Sequence, residues 1–477
     1  MTSGETPFDP MLYLRRATEL HGRGQLDAAE SFYRRVLEDA PENFDALHLL
    51  GVLEAGRKNF TGAVALIARA LARDPNNVRA LYNYGNALRD ANRLEESLAS
   101  YDRLLALSPQ ETEALINRGV VLFDLGRFGE ALASYDAGIA ANPNDPSAHV
   151  NRANALMALD RREEAVASFQ SALRLRPQSP DVWMSYGKTL SSLQRQAEAL
   201  QAFKKAEVLF EQAGGSAALH LAKTQFLTGE MLMAAGEFDK ATRHFEAAAR
   251  LNPEDATTHY FLSALTKTNQ PDLPPAQYVA DLFDEYAQNF DKHLVEGLGY
   301  RAPELVCKAA FGVLGAASDL RIVDLGCGTG LCGPFLKSAA SHLVGVDLSA
   351  KMLRKARERG QYDELIQGDL IASLAGRDDE FDLAIAADVF VYFGNLEPVF
   401  RGVGDLLKPG GVLAFTVEEH EGAGFVLEAT ARYRHAKSYL ASLAAAHGFA
   451  ILRSEQIVPR YNKSEPVPGL LTILRKN

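Results

Sequence analysis

Residues 109–142 read PQETEALINRGVVLFDLGRFGEALASYDAGIAAN, and this 34-residue pattern recurs along the first half of the chain. Ten residues after the proline comes a small residue, Gly119, and Ala131 and Tyr135 follow it by 12 and 16 residues. The apolar spacing is helical and is broken once by a short polar turn, so the pattern predicts helix–turn–helix units. We expect the small residue to let two helices approach, the aromatic ring to fill the gap to the next unit, and the proline to stop the second helix.

Five consecutive units keep this phase. Their shared positions are Pro41, Pro75, Pro109, Pro143 and Pro177, then Gly51, Gly85, Gly119, Ala153 and Gly187, then Ala63, Ser97, Ala131, Ala165 and Ala199, then Ile67, Tyr101, Tyr135, Phe169 and Phe203. The phase extends one unit back, and forward to Pro253 after eight extra residues near Glu211, which predict a loop-like insertion. This pattern resembles the tetratricopeptide repeat. The resemblance implies an all-α superhelix over residues 10–268, with about seven repeats and a capping helix.

Solenoids of this kind present a concave surface that usually binds peptides or proteins. Asn83, Asn117 and Asn151 occupy the same place in three successive repeats, and Asn86 and Asn154 form a second row. An amide offers both donors and an acceptor, so such a ladder suits the backbone of an extended peptide. The alternative is that these amides bridge adjacent repeats.

The 34-residue repeat pattern ends before residues 269–275, NQPDLPP, which have the composition of a linker. From 276 to 477, strand-like runs alternate with helical segments, which predicts an α/β domain with a mainly parallel, Rossmann-like sheet. The predicted strands are Leu320–Leu325, Leu343–Val346, Glu364–Gln367, Phe381–Ala386 and Val412–Val417, followed by a terminal antiparallel pair, Phe449–Ile457 and Gly469–Arg475.

The first strand runs into residues 324–330, DLGCGTG. Glycines at such a turn let the backbone approach a ligand at the start of a helix. Gly328, Gly330 and Gly333 also fit the dinucleotide fingerprint, so a nicotinamide cofactor is an alternative at this point.

Acidic residues near the ends of successive strands help to decide whether the cofactor is a nicotinamide dinucleotide or another molecule. Asp324, before the first glycine, suits a cationic amino group and would repel a pyrophosphate. Asp347 ends the second strand, where an acid can accept both ribose hydroxyls, and Asp369 ends the third, where an acid can accept from an adenine amine. Asp388 follows the fourth strand.

Residues 320–417 resemble a class I S-adenosylmethionine-dependent methyltransferase, through the segments DLGCGTG, GVDLSAKML, GDL, FDLAIAADVF and LLKPGGVLAF. The resemblance implies a seven-stranded sheet with an antiparallel last strand and S-adenosyl-L-methionine as the cofactor. Tyr286 lies on a helix that resembles the cofactor-capping helix of small-molecule methyltransferases, although packing onto the sheet is the alternative. The predicted cofactor-binding residues are Tyr286, Asp324, Gly326, Cys327, Gly328, Thr329, Gly330, Asp347, Leu348, Met352, Asp369, Leu370, Asp388 and Val389.

The whole chain resembles bacterial methyltransferases that contain tetratricopeptide repeats. The function expected is methyl transfer to an unidentified acceptor, with the solenoid recruiting a protein partner or substrate. The alternatives are a scaffold that binds the cofactor without turnover and a small-molecule methyltransferase localised by its repeats. The fourth strand is not followed by Asn-Pro-Pro-Tyr, which disfavours amide and base methylation and leaves O-, C- and amine N-acceptors open.

A general base is optional in methyl transfer and depends on the acceptor. Candidates on the loops after the fourth and fifth strands are Tyr392, Glu418, Glu419 and His420. His435 is the leading candidate because imidazole titrates near neutral pH, and Tyr392 is the second. A solvated or capping role is the alternative for His435.

The composition narrows the cellular context. Cys307, Cys327 and Cys332 form neither a disulfide framework nor a zinc motif, so no metal is expected and a reducing, cytoplasmic location fits best. No apolar run reaches the length of a membrane span, and the first residues, MTSGETPFDP, lack the features of a signal peptide. The net charge of −11 disfavours a general nucleic-acid binder.

Overall fold

The structure is a computed structural model that describes residues 9–287, 291, 299–462 and 465–477. The chain divides into two compact units, Met1–Thr224 and Gln225–Asn477. This division falls within the repeat array, upstream of residues 269–275, so the domain boundary at that linker stays a prediction.

The repeat array consists of consecutive helices joined by short turns. They are α1 (Pro10–Gly22), α2 (Leu26–Asp39), α3 (Phe44–Gly56), α4 (Phe60–Arg73), α5 (Val78–Asp90), α6 (Leu94–Leu107), α7 (Thr112–Asp124), α8 (Phe128–Ala141), α9 (Pro146–Ala158), α10 (Arg162–Leu175), α11 (Pro180–Ser192), α12 (Gln196–Ala213), α13 (Ala218–Ala234), α14 (Phe238–Leu251) and α15 (Ala256–Thr266). The first unit holds the pairs from α1/α2 to α11/α12, and α13 spans the division. No helix in the described part of the chain is long and apolar enough to cross a membrane.

The recurring small and aromatic residues pack against each other within each pair. A Cβ added to Gly119 of α7 would lie only 2.5 Å from Cε1 of Tyr135 in α8, and one added to Gly85 would lie 2.8 Å from the Tyr101 ring. Tyr135 is buried as a result. The small and aromatic residues of the repeat therefore allow the two helices of a pair to pack closely, as the sequence predicts.

The inserted residues of the array are helical rather than loop-like, which corrects the sequence-based expectation. Helix α12 has 18 residues, whereas α10 at the equivalent place has 14. A four-residue 3-10 turn, Gly214–Ala217, then leads to α13. Gly214 has a φ of 75°, a left-handed conformation that ends α12 without strain because glycine has no Cβ.

The α/β part of the second unit is built on one sheet. Its strands are β1 (Leu320–Leu325), β2 (Ala340–Asp347), β3 (Glu364–Gln367), β4 (Phe381–Ala386), β5 (Leu407–Glu419), β6 (Phe425–Leu427), β7 (Tyr433–His435), β8 (Phe449–Asn462) and β9 (Glu465–Lys476). Its helices are α16 (Ala276–Tyr286), α17 (Ala302–Leu314), α18 (Gly333–Leu336), α19 (Ala350–Arg359), α20 (Glu397–Leu406) and α21 (Lys437–Ala446).

The sheet has the predicted parallel core. Strands β3, β2, β1, β4 and β5 pair in that order, all in parallel. Strand β9 pairs antiparallel with β5 and with β8, which confirms the predicted antiparallel last strand. The short strands β6 and β7 are additional to the seven predicted. They pair with each other, and β7 pairs with the end of β5.

Both faces of this sheet are buried, as its parallel core requires. On one face Val323 and Val344 pack in the same cluster as Phe400 of α20. Their neighbours in sequence, Ile322 and Leu343, point to the other face and pack with α17. The alternation fixes the register of the strands, so the carboxyl ends of β1 to β5 meet along one edge.

We predict that Gly119→Ala lowers the free energy of unfolding by about 1–3 kcal/mol, because the added methyl group overlaps the buried ring of Tyr135. Gly129→Ala in α8 is the matched control, since no atom lies within 4 Å of a Cβ added there. Alanine at that helical site is expected to be neutral or to stabilise by up to about 1 kcal/mol. Urea unfolding of the full chain measures both values, and equal effects would contradict the packing argument.

Candidate active site

A cavity of about 890 Å³ lies at the carboxyl edge of the sheet. The loops that follow β1, β2, β3 and β4 contribute to its lining, together with the end of β5 and residues of α16. Ligands of open α/β sheets bind at this edge, because the loops after neighbouring parallel strands converge there. The position and size fit a small organic ligand with room beside it.

The glycine-rich turn after β1 is shaped by residues without a Cβ. Gly326 and Gly330 have φ values of 71° and 86°, which favour glycine. A Cβ at Gly326 would lie 2.6 Å from Val389, and one at Gly330 would lie 2.9 Å from the Tyr362 ring. The turn is therefore closed against its neighbours, and its Gly326–Thr329 segment lines the cavity.

Asp347, at the end of β2, ties this turn to the next helix. Its Oδ2 accepts a hydrogen bond from the Gly328 N–H at 2.9 Å, and its Oδ1 accepts one from the Ser349 N–H at 2.9 Å. The side chain lines the cavity, and burial raises its pKa. The hydroxyl of Ser349 in turn donates to Asp284 of α16, which links that helix to the site.

Further predicted cofactor residues flank Asp347 along the sheet edge. Leu348, Asp369 and Leu370 line the cavity. The Oδ1 atom of Asp369 accepts hydrogen bonds from the Ile371 and Ala372 N–H groups, at 3.0 and 2.9 Å, and these bonds fix its orientation. This arrangement presents an acid between two apolar side chains.

Four of the predicted cofactor residues are not at the cavity or lie outside the described set. Met352 is fully buried, and neither Met352 nor Gly330 belongs to the described lining. Asp324 is also buried beneath the turn, where its Oδ2 accepts a 2.6 Å hydrogen bond from the Tyr362 hydroxyl. The side chain of Tyr286 lies outside the described residues.

The turn also carries a thiol and a hydroxyl at the cavity. Burial raises the pKa of the Cys327 thiol well above its usual range, which fits a small loop residue rather than a nucleophile. The Thr329 hydroxyl donates to Asp291, and Arg359 of α19 donates to the same carboxylate.

A charged cluster lies at the part of the cavity beside β4 and β5. Nη1 of Arg460, on β8, donates to both carboxylate oxygens of Asp388, at 2.7 and 2.6 Å, and Nη2 donates to Glu418. Arg432 donates a 2.7 Å hydrogen bond to the Tyr392 hydroxyl, and its guanidinium carbon lies 5.1 Å from the centre of that ring. All five residues line the cavity.

Asp388, which belongs to this cluster, has a constrained backbone conformation. Its φ of 59° is left-handed, and its N–H donates to the Thr416 hydroxyl at 2.8 Å. Non-glycine residues in this conformation concentrate at functional sites. The sequence predicts Asp388 and Val389 at the site, and both line the cavity. The carboxylate of Asp388 is, however, bound by Arg460 rather than free.

His435 is not at the cavity, which corrects the leading prediction for a base. It lies in β7 rather than at the start of a helix, is fully buried, and places Nε2 3.1 Å from the Gly394 carbonyl oxygen. Burial lowers its pKa to about 4. An enclosed, neutral imidazole of this kind holds the local structure and has no route to a substrate proton. Tyr392, the second candidate, does line the cavity.

Arg432 and Arg460 are the functional candidates that sequence reasoning missed. Arg460 follows Ile457-Val-Pro in a strand-forming stretch, where a charged residue needs a buried partner. The arginine in a strand-forming stretch was a visible signal, but the partner of Arg460, Asp388, lies 72 residues away in the sequence.

The cavity lining also includes exposed apolar and aromatic side chains. Phe238 of α14, Leu273 and Tyr461 line the cavity with exposed fractions of 47, 50 and 44%. The segment after α15 is anchored nearby: the Tyr433 hydroxyl donates to the Pro271 carbonyl at 2.6 Å, and the Tyr260 hydroxyl of α15 donates to the Ala431 carbonyl at 2.8 Å. Helix α14 therefore contributes to the cavity lining, and α15 is hydrogen-bonded to a lining residue.

The predicted asparagine ladder lies in the first unit. Asn83 Nδ2 is 2.9 Å from Nε2 of His48, and Asn117 Nδ2 donates to Tyr82 and Asn86 of the preceding repeat. These two amides therefore bridge adjacent repeats. Asn151 instead lines a shallow depression with Val150 and Arg176.

Comparison with known proteins gives family matches in two parts of the chain. A family described as a methyltransferase domain matches residues 323–415, and tetratricopeptide-repeat families match overlapping segments from 14 to 146 and residues 122–188. A solved structure, the C-terminal part of a tetratricopeptide-repeat protein from Cytophaga hutchinsonii, is 13% identical and covers 52% of this chain and 98% of its own, with a TM-score of 0.46.

Two curated relatives match the methyltransferase region. A malonyl-[acyl-carrier protein] O-methyltransferase from Enterobacter lignolyticus is 30% identical over 146 residues, which are 30% of this chain and 55% of that protein. A trans-aconitate 2-methyltransferase from Paracidovorax citrulli is 35% identical over 109 residues, or 22% of this chain and 41% of that protein. This chain thus spans about half the length of the curated relatives that it matches.

We predict that Asp347→Ala weakens the affinity for S-adenosyl-L-methionine at least about 10-fold, because it removes charge-assisted hydrogen bonds from the cavity and releases the glycine turn. Isothermal titration of the full chain measures the dissociation constant. Asp405→Ala, at an exposed position of α20, is the control and should bind like the wild type. Unchanged affinity of the Asp347 variant would exclude the assigned role.

Burial raises the pKa of Asp324 to about 7, from an ordinary value of 3.8. The folded chain therefore keeps a proton that the unfolded chain releases near pH 4, so this group lowers the free energy of unfolding as the pH rises from about 4 to 7. Asn cannot ionise, and we predict that the stability of Asp324→Asn relative to wild type is higher at pH 8 than at pH 5. Urea unfolding at the two pH values tests this, and an equal difference at both would contradict it.

Proposed function

We propose that this chain, which joins tetratricopeptide repeats to a methyltransferase domain, transfers the methyl group of S-adenosyl-L-methionine to an acceptor bound in the same cavity. We propose further that the solenoid recruits a protein partner or substrate. The relatives of the second half are methyltransferases, and enzymes of this class use that cofactor. It supplies a methyl group on a positively charged sulfur.

The observation that carries the proposal is the convergence of the glycine turn and Asp347 at one edge of the sheet. Gly326 and Gly328 of the turn line the cavity, and glycine lets a backbone approach a ligand closely. Asp347 would hold the ribose hydroxyls, because its carboxylate lines the cavity while its backbone partners keep it in place. Asp369, with Leu348 and Leu370, would hold the adenine.

Methyl transfer asks the protein mainly to align donor and acceptor and to exclude water. The buried cluster of Arg432, Arg460, Asp388, Glu418 and Tyr392 lies in the same cavity as the proposed cofactor residues. We assign the acceptor to this part. Tyr392 is the proposed catalytic residue, since its hydroxyl lines the cavity and its orientation is set by Arg432.

The proposed recruiting surface is the asparagine-bearing side of the first unit. Asn83 and Asn117 each use an amide N–H group to bridge repeats, and each side chain remains half-buried with further hydrogen-bonding capacity. Asn151 lines its depression beside Arg176, which adds a positive charge for a peptide carboxylate.

Incubating the full chain with methyl-labelled S-adenosyl-L-methionine and cell extract tests the enzyme activity. We predict label transfer that Asp347→Ala abolishes and Asp405→Ala leaves intact. Cofactor binding without any transfer would instead favour a scaffold.

We predict that Asn117→Ala combined with Asn151→Ala lowers the yield of protein partner in pull-downs several-fold and leaves cofactor affinity unchanged. The mutated amides lie in the first unit and the cofactor residues in the second. Asn76→Ala together with Asn144→Ala, at exposed turn positions, provides the control. An unaffected yield would mean that the ladder serves the fold alone.

A further inference from the structure

We infer that the methyl acceptor is a carboxylate, bound by Arg432 and converted to a methyl ester. This inference rests on the proposed methyl transfer and specifies the acceptor of that same site. It draws on three features of the cavity: the loose pairing of one arginine, the charge balance of the cluster, and the pairing of most acidic lining residues with other groups.

The two arginines of the cluster are paired unequally. Arg460 binds both oxygens of Asp388 at 2.6–2.7 Å and also binds Glu418, so it satisfies both carboxylates at short range. Arg432 lies 3.6 Å from Asp388 and 3.4 Å from Glu418, both longer than a good charge-assisted hydrogen bond. Its side chain is also more exposed, at 22% against 9% for Arg460. Of these two arginines, Arg432 is therefore the one with capacity left for an incoming anion.

The charges of the cluster, as distinct from the whole described lining with its six carboxylates and three arginines, leave a place for a negatively charged acceptor. The two arginines and the two carboxylates of the cluster balance one another. The donor brings a sulfonium, and a buried positive charge is costly unless a negative one accompanies it. A carboxylate acceptor supplies that charge. Methyl transfer then converts the carboxylate into a neutral ester and the sulfonium into a neutral thioether.

The same choice removes the need for a base. The described residues that line the cavity include no histidine and no lysine. Asp388 and Glu418 are held by Arg460, and Glu428 pairs with Lys267 at 3.0 Å. Asp347 and Asp369 accept backbone hydrogen bonds, which leaves Glu465, an exposed carboxylate of the described lining. An ammonium, a hydroxyl or a carbon acid must lose a proton during or before methylation. A carboxylic acid is already ionised at neutral pH.

The step balances without a proton transfer. A lone pair of the carboxylate oxygen forms the bond to the methyl carbon, the bond from that carbon to sulfur breaks, and its electron pair stays on sulfur. Arg432 and Tyr392 hold the acid: the Tyr392 oxygen accepts from Arg432, so its own O–H is available to donate to the second carboxylate oxygen. The cavity lining also includes Phe238, Leu273 and Tyr461, whose apolar surface suits the hydrocarbon part of an acid.

The chemistry of the labelled product distinguishes acceptor classes. The full chain is incubated with methyl-labelled S-adenosyl-L-methionine and cell extract separated into macromolecular and small-molecule fractions. Methyl esters release labelled methanol at pH 11, whereas N- and C-methyl groups and ethers do not. We expect base-labile label. Label in the macromolecular fraction would indicate a protein-borne carboxylate, and label in the small-molecule fraction would indicate a free acid. Base-stable label would overturn the carboxylate assignment and leave the proposed methyl transfer standing.

Direct binding gives an independent test that needs no turnover. The probe is octanoate, with octylamine as its matched cationic analogue, titrated into the full chain saturated with S-adenosylhomocysteine. We expect octanoate to bind and octylamine not to bind. Preferential binding of octylamine, or equal binding of both, would overturn the inference.

The role of the arginine is tested by Arg432→Gln and Arg432→Lys. The control is Arg453→Gln, at an exposed position of β8. We expect Arg432→Gln to weaken octanoate binding about 10- to 100-fold, and Arg432→Lys to recover part of the loss because it keeps the charge without the fork. Affinity for S-adenosylhomocysteine should stay within about 2-fold in all three, which reports an intact fold. Equal octanoate affinity in Arg432→Gln and Arg453→Gln would exclude Arg432 as the acceptor's partner.

Discussion

The two backbone hydrogen bonds accepted by Asp347 organise the proposed site. One ends on the glycine turn after β1 and the other on the start of α19, so a single carboxylate sets the spacing between two neighbouring strand ends. The parallel register of β1 with β2 brings these groups together. Burial of that carboxylate raises its pKa, and the backbone donors compensate for part of the cost of keeping it charged. The rest of the cavity is arranged around this fixed edge.

Most of the fold could be predicted because its signals are local and repeated. The pairing of Gly119 with Tyr135 recurs every 34 residues, and each copy constrains one helix pair. Strand runs such as Leu343–Val346 are apolar throughout, as buried parallel strands require. Strands β6 and β7 escaped prediction because three residues are too few to show a period. The helical insertion in α12 escaped because its glycines lie at the end of the helix, where they read as a loop.

The residues proposed for the cofactor were more predictable than those proposed for the acceptor, for a related reason. Asp347 and Asp369 lie directly after strands, so their place follows from the alternation of strand and helix. Arg432 directly precedes β7, which pairs with the end of β5, and Arg460 lies in β8, which pairs with β9. No local pattern in the sequence indicates that these two residues meet. His435 illustrates the opposite failure: imidazole chemistry suggests a base at neutral pH, but enclosure within β7 lowers its pKa to about 4.

Phe238 belongs by sequence to the last repeat and by position to the cavity wall, and the second compact unit begins at Gln225. The evolutionary consequence is a polarity in how this gene can grow. Duplication or loss of whole 34-residue units upstream of that point would lengthen or shorten the array without touching the chamber. Recombination within the final helices would instead reshape the chamber, so acceptor preference and the end of the array are expected to diverge together among descendants.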